Sequence, residues 1–152
     1  MEYYQARPAS KMSRKQYDLK FDGFWREPNV GGVPGESGVY CVYVCTFDAT
    51  AKTVSLQQLL YIGAAANANE AIADHHEWPN WKKYLKNDEQ ICVSFAPVAD
   101  ADRDRVAAAL IYENQPPAND QFRDSFPFPP VSISTSGRSG FLTPSFDVSR
   151  TD

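Results

Sequence analysis

Two tyrosines, one histidine and one asparagine are the residues of this chain whose types and settings suit chemistry. Tyr40 closes the triplet Gly38-Val39-Tyr40 and Tyr61 opens the triplet Tyr61-Ile62-Gly63, each inside an apolar run of β type. A phenol hydrogen-bonds as donor and acceptor. His75, next to His76, brings an imidazole whose charge changes near neutrality. Asn119 ends the segment Gln115-Pro116-Pro117-Ala118-Asn119, and its carboxamide both donates and accepts. Such groups can hold a polar substrate with a water and move a proton between them. Each also has a plainer use. Tyr40 and Tyr61 serve equally as core tyrosines with satisfied hydroxyls, since tyrosine and glycine are common at strand ends. His75 or His76 can cap a helix or face solvent, and an asparagine after proline often bonds its own backbone.

The residues after the second triplet add specificity. Eight residues past Gly63 stands Ala71, and four further on comes His75, one helical turn along the same face. In a second helical stretch Ala107 precedes Leu110 and Ile111 by three and four residues. The two triplets, this register, the Leu-Ile pair and the proline-asparagine segment together resemble the GIY-YIG nucleases, from around Trp25 to the tail. His75 and the long span from Cys41 to Leu60 are similar to the subset that resembles restriction endonucleases. On that resemblance Ala71 stands where the family carries a phosphate-binding arginine, and Ala107 where it carries a metal-binding glutamate.

The resemblance implies hydrolysis of phosphodiester bonds in DNA, with the strandedness of the substrate left open and RNA also possible. Tyr40 and Tyr61 would position the attacking water, and a phenolate or His75 would accept its proton. An arginine would grip the phosphate, a glutamate would carry Mg2+ or Mn2+, and Asn119 would orient the phosphate or a metal-bound water. Gly63, Lys82, Lys83 and Arg103 are the expected nucleic-acid contacts. Tyr40, Tyr61, His75, Ala71 and Ala107 should face one cleft, and Ala71 and Ala107 on opposite sides of the sheet would end the nuclease reading. This chain itself should hold no metal tightly, because Ala107 is the expected ligand position, and Glu70 and Glu113 are out of register. With both groups missing the chain should be nearly inert. Alanine at both places is what deliberate inactivation leaves; the alternative is a noncatalytic nucleic-acid-binding or protein-interaction domain that kept the fold.

The elements that must position these residues are legible in the pattern. At 152 residues, 43% hydrophobic and 13% aromatic, the chain suits one domain with one core. Residues 1–16 are polar and read as a flexible arm, with a single domain over 17–152. Tyr17 to Trp25 reads as an edge strand or short packing segment. Gly38 to Cys45 is apolar on both alternating faces, as a central strand must be. Phe47 to Ser55 joins it to a second strand ending at Gly63. Asn67 caps a helix running through His75 towards Trp78 and stopped by Pro79, Trp81 to Leu85 is a further helical piece, and Gln90 to Phe95 alternates as a third strand. Another helix starts near Asp100 and Asp102 and ends before Pro116 and Pro117. The tail suggests a small hairpin or two edge strands around Val131, Ile133, Phe141 and Phe146, with Gly137 and Gly140 in its turn. The expected class is α+β, a small, mostly antiparallel sheet flanked by helices.

Composition narrows the setting. Cys41, Cys45 and Cys92 lie inside apolar runs and read as buried thiols of a reducing compartment. The first residues do not read as a signal peptide and no stretch reaches the length of a membrane span, so a cytoplasmic location is expected. A net charge of −4 opposes a broad basic surface but leaves room for a compact basic site.

Overall fold

The computed structural model of the chain describes residues 14–151. The strands are β1 (Lys15–Arg26), β2 (Gly38–Asp48), β3 (Thr53–Ala65), β4 (Glu89–Pro97), β5 (Val131–Gly137) and β6 (Ser145–Val148). The helices are α1 (Ala68–Ala73), α2 (Trp78–Lys82) and α3 (Arg103–Asn114), with a 3-10 turn at Glu27–Gly32. The strands form a six-stranded sheet in the order β3-β2-β4-β1-β5-β6. Every pairing is antiparallel except β1 with β5. The class is α+β with a mixed sheet.

β2 is buried from Gly38 to Cys45 without a break, because it lies between β3 and β4 and is covered on both faces. Val39, Cys41, Tyr43 and Cys45 pack on the α3 side with Val106 and Leu110. Tyr40, Val42 and Val44 pack on the other side with Ile72 of α1 and Trp81 of α2. Burying both rows removes far more apolar area from water than a one-sided sheet would.

Several boundaries differ from expectation. Lys15 and Gln16 belong to β1, opposite Val131 and Ser132, so the polar arm does not reach residue 16; its residues 1–13 lie outside the described residues. β1 is not an edge strand. Its first half pairs with β5 and its second half with β4, which a weak alternation could not reveal. β5 is likewise interior, and only β6 of the tail is an edge. Most of Phe47 to Ser55 is strand: Asp48 pairs with Thr53, and the Asp48 carboxylate accepts from the N–H groups of Thr50 and Ala51 to tighten the turn.

The first helix is shorter than expected. Asn67 caps it, accepting from the Glu70 N–H at 3.1 Å, but it ends at Ala73, and Pro79 sits in the first turn of α2 instead of stopping α1. Proline fits there because a first-turn N–H has no helical partner. α3 runs as expected and ends at Gln115 in a left-handed conformation, φ 53°, before the two prolines. Among the described residues no helix is long and apolar enough to cross a membrane.

Candidate functional site

One edge of the sheet belongs to β3, and Tyr40, Tyr61, His75, Ala107 and Asn119 lie around its C-terminal end. Tyr40 lies opposite Gly63 and Val42 opposite Tyr61, while Tyr43 lies opposite Leu59. Leu60 is therefore a bulged residue without a partner on β2. The bulge puts Leu60 and Tyr61 on the same side of the sheet, the side of Tyr40, and re-aiming a side chain is what bulges do near sites.

Gly63 is needed for this geometry. A Cβ there would strike Cζ and Oη of Tyr40 and come within 2.8 Å of its Cε1. The space above Gly63, expected to receive a ligand, is filled by the Tyr40 ring. Tyr40 is buried, at 2% exposure, and Tyr61 is half-buried. The two ring centroids are 6.4 Å apart, and His75 meets both, at 6.1 Å from Tyr40 and 5.5 Å from Tyr61. Trp81 backs the group at 4.6 Å from His75 and 5.3 Å from Tyr61. Three segments thus bring Tyr40, Tyr61 and His75 together. His75 reaches them from the turn after α1, not from the helix face.

The electrostatics restrict what these groups do. Burial pushes the Tyr40 phenol well above its ordinary range, with Tyr61 adding to it. Burial also raises Tyr61, helped by the carboxylates of Glu77 and Asp120. Both phenols are protonated at neutral pH, so neither serves as a resting phenolate. His75 is shifted the other way, lowered first by burial and then by His76, with Glu77 opposing. Its Nδ1 accepts from the Glu77 N–H at 3.0 Å. A neutral imidazole has one acceptor nitrogen, so the proton sits on Nε2, and this tautomer offers a donor where a proton acceptor was expected.

A cleft of about 710 Å³ wraps the edge of β3. Tyr61, Gly63, Ala107 and Asn119 line it, and so do Glu77, Asp104, Asp120, Phe122 and Phe128. Ala107 enters from α3 and is 6% exposed. The helices carrying Ala71 and Ala107 pack on opposite faces of the sheet, where one shared face was expected. Ala107 and Tyr61 meet because the cleft turns around the end strand. Of the five residues expected to face one cleft, only Tyr61 and Ala107 line it; Tyr40, His75 and Ala71, the last partly exposed on α1, do not.

Asn119 has a defined task in this geometry. Its Oδ1 accepts from the Ile62 N–H and its Nδ2 donates to the Ile62 carbonyl, both at 2.9 Å. Just before it, the Ala118 N–H donates to the Leu60 carbonyl at 2.9 Å. The segment acts as a short extra strand that occupies an otherwise open sheet edge. The carboxamide expected to orient a phosphate is spent on the backbone.

The expected basic contacts do not gather. Arg103 stands at the start of α3, bonded to Asp100 at 2.6 Å and to Ser37 at 3.1 Å. Lys82 and Lys83 lie on the other face, at the end of α2. Lys82 pairs with Glu27 at 2.6 Å, and Lys83 lines a smaller neighbouring cavity of about 380 Å³ with Asn80 and Tyr84. Among the described residues no three His, Cys, Asp or Glu side chains gather to hold a metal ion, and Ala107 offers no donor atom.

Sequence reasoning missed the acidic and aromatic lining of the cleft. Asp120 directly follows Asn119, and Phe122 and Phe128 flank the Phe-Pro run, but that run signals irregular backbone and says nothing of where its rings turn. No family model matches the chain, and neither a curated protein nor a solved structure matches it.

Proposed function

We propose that this chain is a GIY-YIG-type endonuclease domain for DNA, of the restriction-endonuclease-like subset, with alanine at the arginine and glutamate positions. The reading is carried by one observation: Tyr61, Gly63 and Ala107, which the resemblance assigns to one site, line one cleft although they come from a strand and a helix on opposite faces. The packing of Tyr40 on Gly63, with His75 against both tyrosine rings, accounts for both triplets. In an active form Tyr61 would hold the attacking water by hydrogen bond, and His75, which does not line the cleft, would position the Tyr61 ring against which it packs. The water oxygen attacks phosphorus, the bond to the leaving oxygen breaks, and of the water's two protons one stays on the new phosphate hydroxyl while the other passes through solvent to the leaving oxygen.

The residues present do not fit a divalent ion, since the expected ligand position ends at Cβ. In the active form Mg2+ or Mn2+ would need the carboxylate of Ala107→Glu. A guanidinium from Ala71→Arg would start on the face of the sheet opposite Ala107, and the nuclease reading stands only if that side chain reaches around β3 to the cleft. The three cysteines are free and buried, which supports a reducing, cytoplasmic setting.

The test is the double variant Ala71→Arg with Ala107→Glu, assayed on single-stranded DNA, duplex DNA and RNA with Mg2+ or Mn2+. Cleavage is expected from the double variant and little from either single one, because both groups act in the same transition state. Adding Tyr61→Phe should remove most of that activity while leaving the fold intact. A folded double variant that cuts none of the three substrates would leave a noncatalytic binding module in its place.

A further inference from the structure

Beside the cleft lies the smaller cavity of about 380 Å³, and Glu77, Ala118 and Asp120 line both. The smaller one has the cation that the cleft lacks, because Lys83 lines it. Among the described residues Lys83 forms no ion pair. Its ammonium donates to Oδ1 of Asn80 at 3.4 Å, and Nδ2 of the same carboxamide donates to Glu77 at 2.7 Å. Asn80 thus spaces a cation from a carboxylate while both line one cavity. Asp120 brings a second carboxylate, which among the described residues makes no side-chain hydrogen bond, and Tyr84 brings a half-buried ring. An aromatic face, a free donor and a free acceptor therefore converge one wall away from the cleft.

We infer that the smaller cavity is a base subsite: the scissile phosphate occupies the cleft, and the nucleotide attached to it lays its base on Tyr84 across the shared wall, with guanine preferred through Asp120 and Lys83. The inference rests on the proposed nuclease reading and adds to it the base beside the scissile bond. A phosphate and the base of its own nucleotide are one sugar apart, as the two cavities are one wall apart, and about 380 Å³ is at the small end of the range for ligand pockets. Stacking on an aromatic ring accepts any base, so the choice falls to the charged groups. An ionised carboxylate only accepts hydrogen bonds. Guanine presents two adjacent donors, N1–H and the N2 amino group, to the Asp120 carboxylate, and its O6 beside them accepts from Lys83, a contact that lysine commonly makes to guanine. Thymine presents one N–H between two carbonyls, which sets a carboxylate oxygen against a carbonyl. Donors seated on Asp120 also offset negative charge that would otherwise face the phosphate in the cleft. A duplex hides the pairing edge, so the base beside the cut is unpaired or flipped out.

The experiment follows the amide NMR shifts of the chain as it stands, at low salt, titrated with the dinucleotides d(TpG), d(GpT) and d(TpT). One guanine dinucleotide should bind about tenfold more tightly than d(TpT), the scale of one good base-edge contact, and should shift the amides of Asn80, Lys83, Tyr84 and Asp120. Lys83→Gln and Asp120→Asn, both at exposed positions, should each remove most of that preference. Tyr84→Leu keeps apolar volume without the π-face and should weaken the guanine dinucleotide by about tenfold. Equal affinity for the three dinucleotides, shifts that leave these four amides unmoved, or a preference that survives both Lys83→Gln and Asp120→Asn would overturn the inference. Cutting by Ala71→Arg with Ala107→Glu reads the nuclease assignment separately. A variant that cuts with no preference for the flanking base would retain that assignment and reject the subsite, whereas guanine preference in binding without any cutting would keep the subsite and reject the nuclease.

Discussion

Replacing Asn119 separates a structural role from a chemical one. Its carboxamide satisfies both backbone groups of Ile62 with two 2.9 Å bonds, at a position only 6% exposed. Asn119→Ala leaves a buried N–H and a buried C=O without partners, and each such group costs about 1–3 kcal/mol. The adjoining cleft admits water to part of this edge, so the expected loss is about 2–3 kcal/mol, below the sum of the upper values. Asn119→Asp keeps an acceptor for the Ile62 N–H but sets a second oxygen against the Ile62 carbonyl, and at pH 7 it should cost at least as much. Equilibrium unfolding in urea, followed by the fluorescence of Trp25, Trp78 and Trp81, measures both. An Asn119→Ala variant whose stability lies within about 0.5 kcal/mol of the parent, the range of an ordinary surface change, would refute the structural role. An asparagine that only oriented a substrate would give that outcome.

Two further outcomes come from the Tyr40–Gly63 contact and from the buried imidazole. Gly63→Ala should destabilise by about 1–3 kcal/mol, as overpacking does, because Tyr40 is too enclosed to swing aside; Tyr40→Ala in the same chain should remove most of the added penalty, and a fully additive double mutant would refute the contact. His75 has its folded pKa lowered from the ordinary histidine value. Its neutral form is therefore favoured by folding, and the unfolded chain takes up more protons in the acid range. The contribution is complete above the unfolded pKa and is lost as pH falls through the folded one. An NMR titration of the His75 ring should show a midpoint below about 6.5, and a midpoint above it would contradict the Nδ1 hydrogen bond.

How much of this was legible depends on the range of the interaction concerned. β2 was readable because its eight buried residues are apolar on both faces, and α3 because its prolines and aspartates mark its ends. The Tyr40–Tyr61 neighbourhood followed from two strands joined in sequence. The bulge at Leu60 was not readable, since nothing local marks which residue of an apolar run loses its partner, and Tyr61 owes its orientation to that bulge. Asn119 was singled out correctly as unusual, but its bond to Ile62 spans 57 residues and could not be told from a substrate contact. Pro79 was misread because proline both ends a helix and opens one, and only the turn around His75 decided between them. The parallel pairing of β1 with β5 lay beyond any local pattern.

That pairing divides the molecule by chain entropy. Arg14, just before β1, bonds to Val131 across 117 residues, whereas β2 and β3 are joined through residues 49–52 alone. Closing the long loop costs about 3 kcal/mol more than closing the short one, on a cost that grows with the logarithm of loop length. All the residues lining the cleft fall between Tyr61 and Phe128, within the stretch that begins at the inexpensive β2–β3 closure. The distant closure brings β5 and β6 onto β1, and β1 is separated from β3 in the sheet by both β4 and β2. Intervening strands separate β5 and β6 from the β3 side of the cleft, but Thr151 bonds to Phe126, between the lining Phe122 and Phe128, so drift at the end of the tail reaches the aromatic wall while drift near residues 57–63 or 116–119 meets the β3 side.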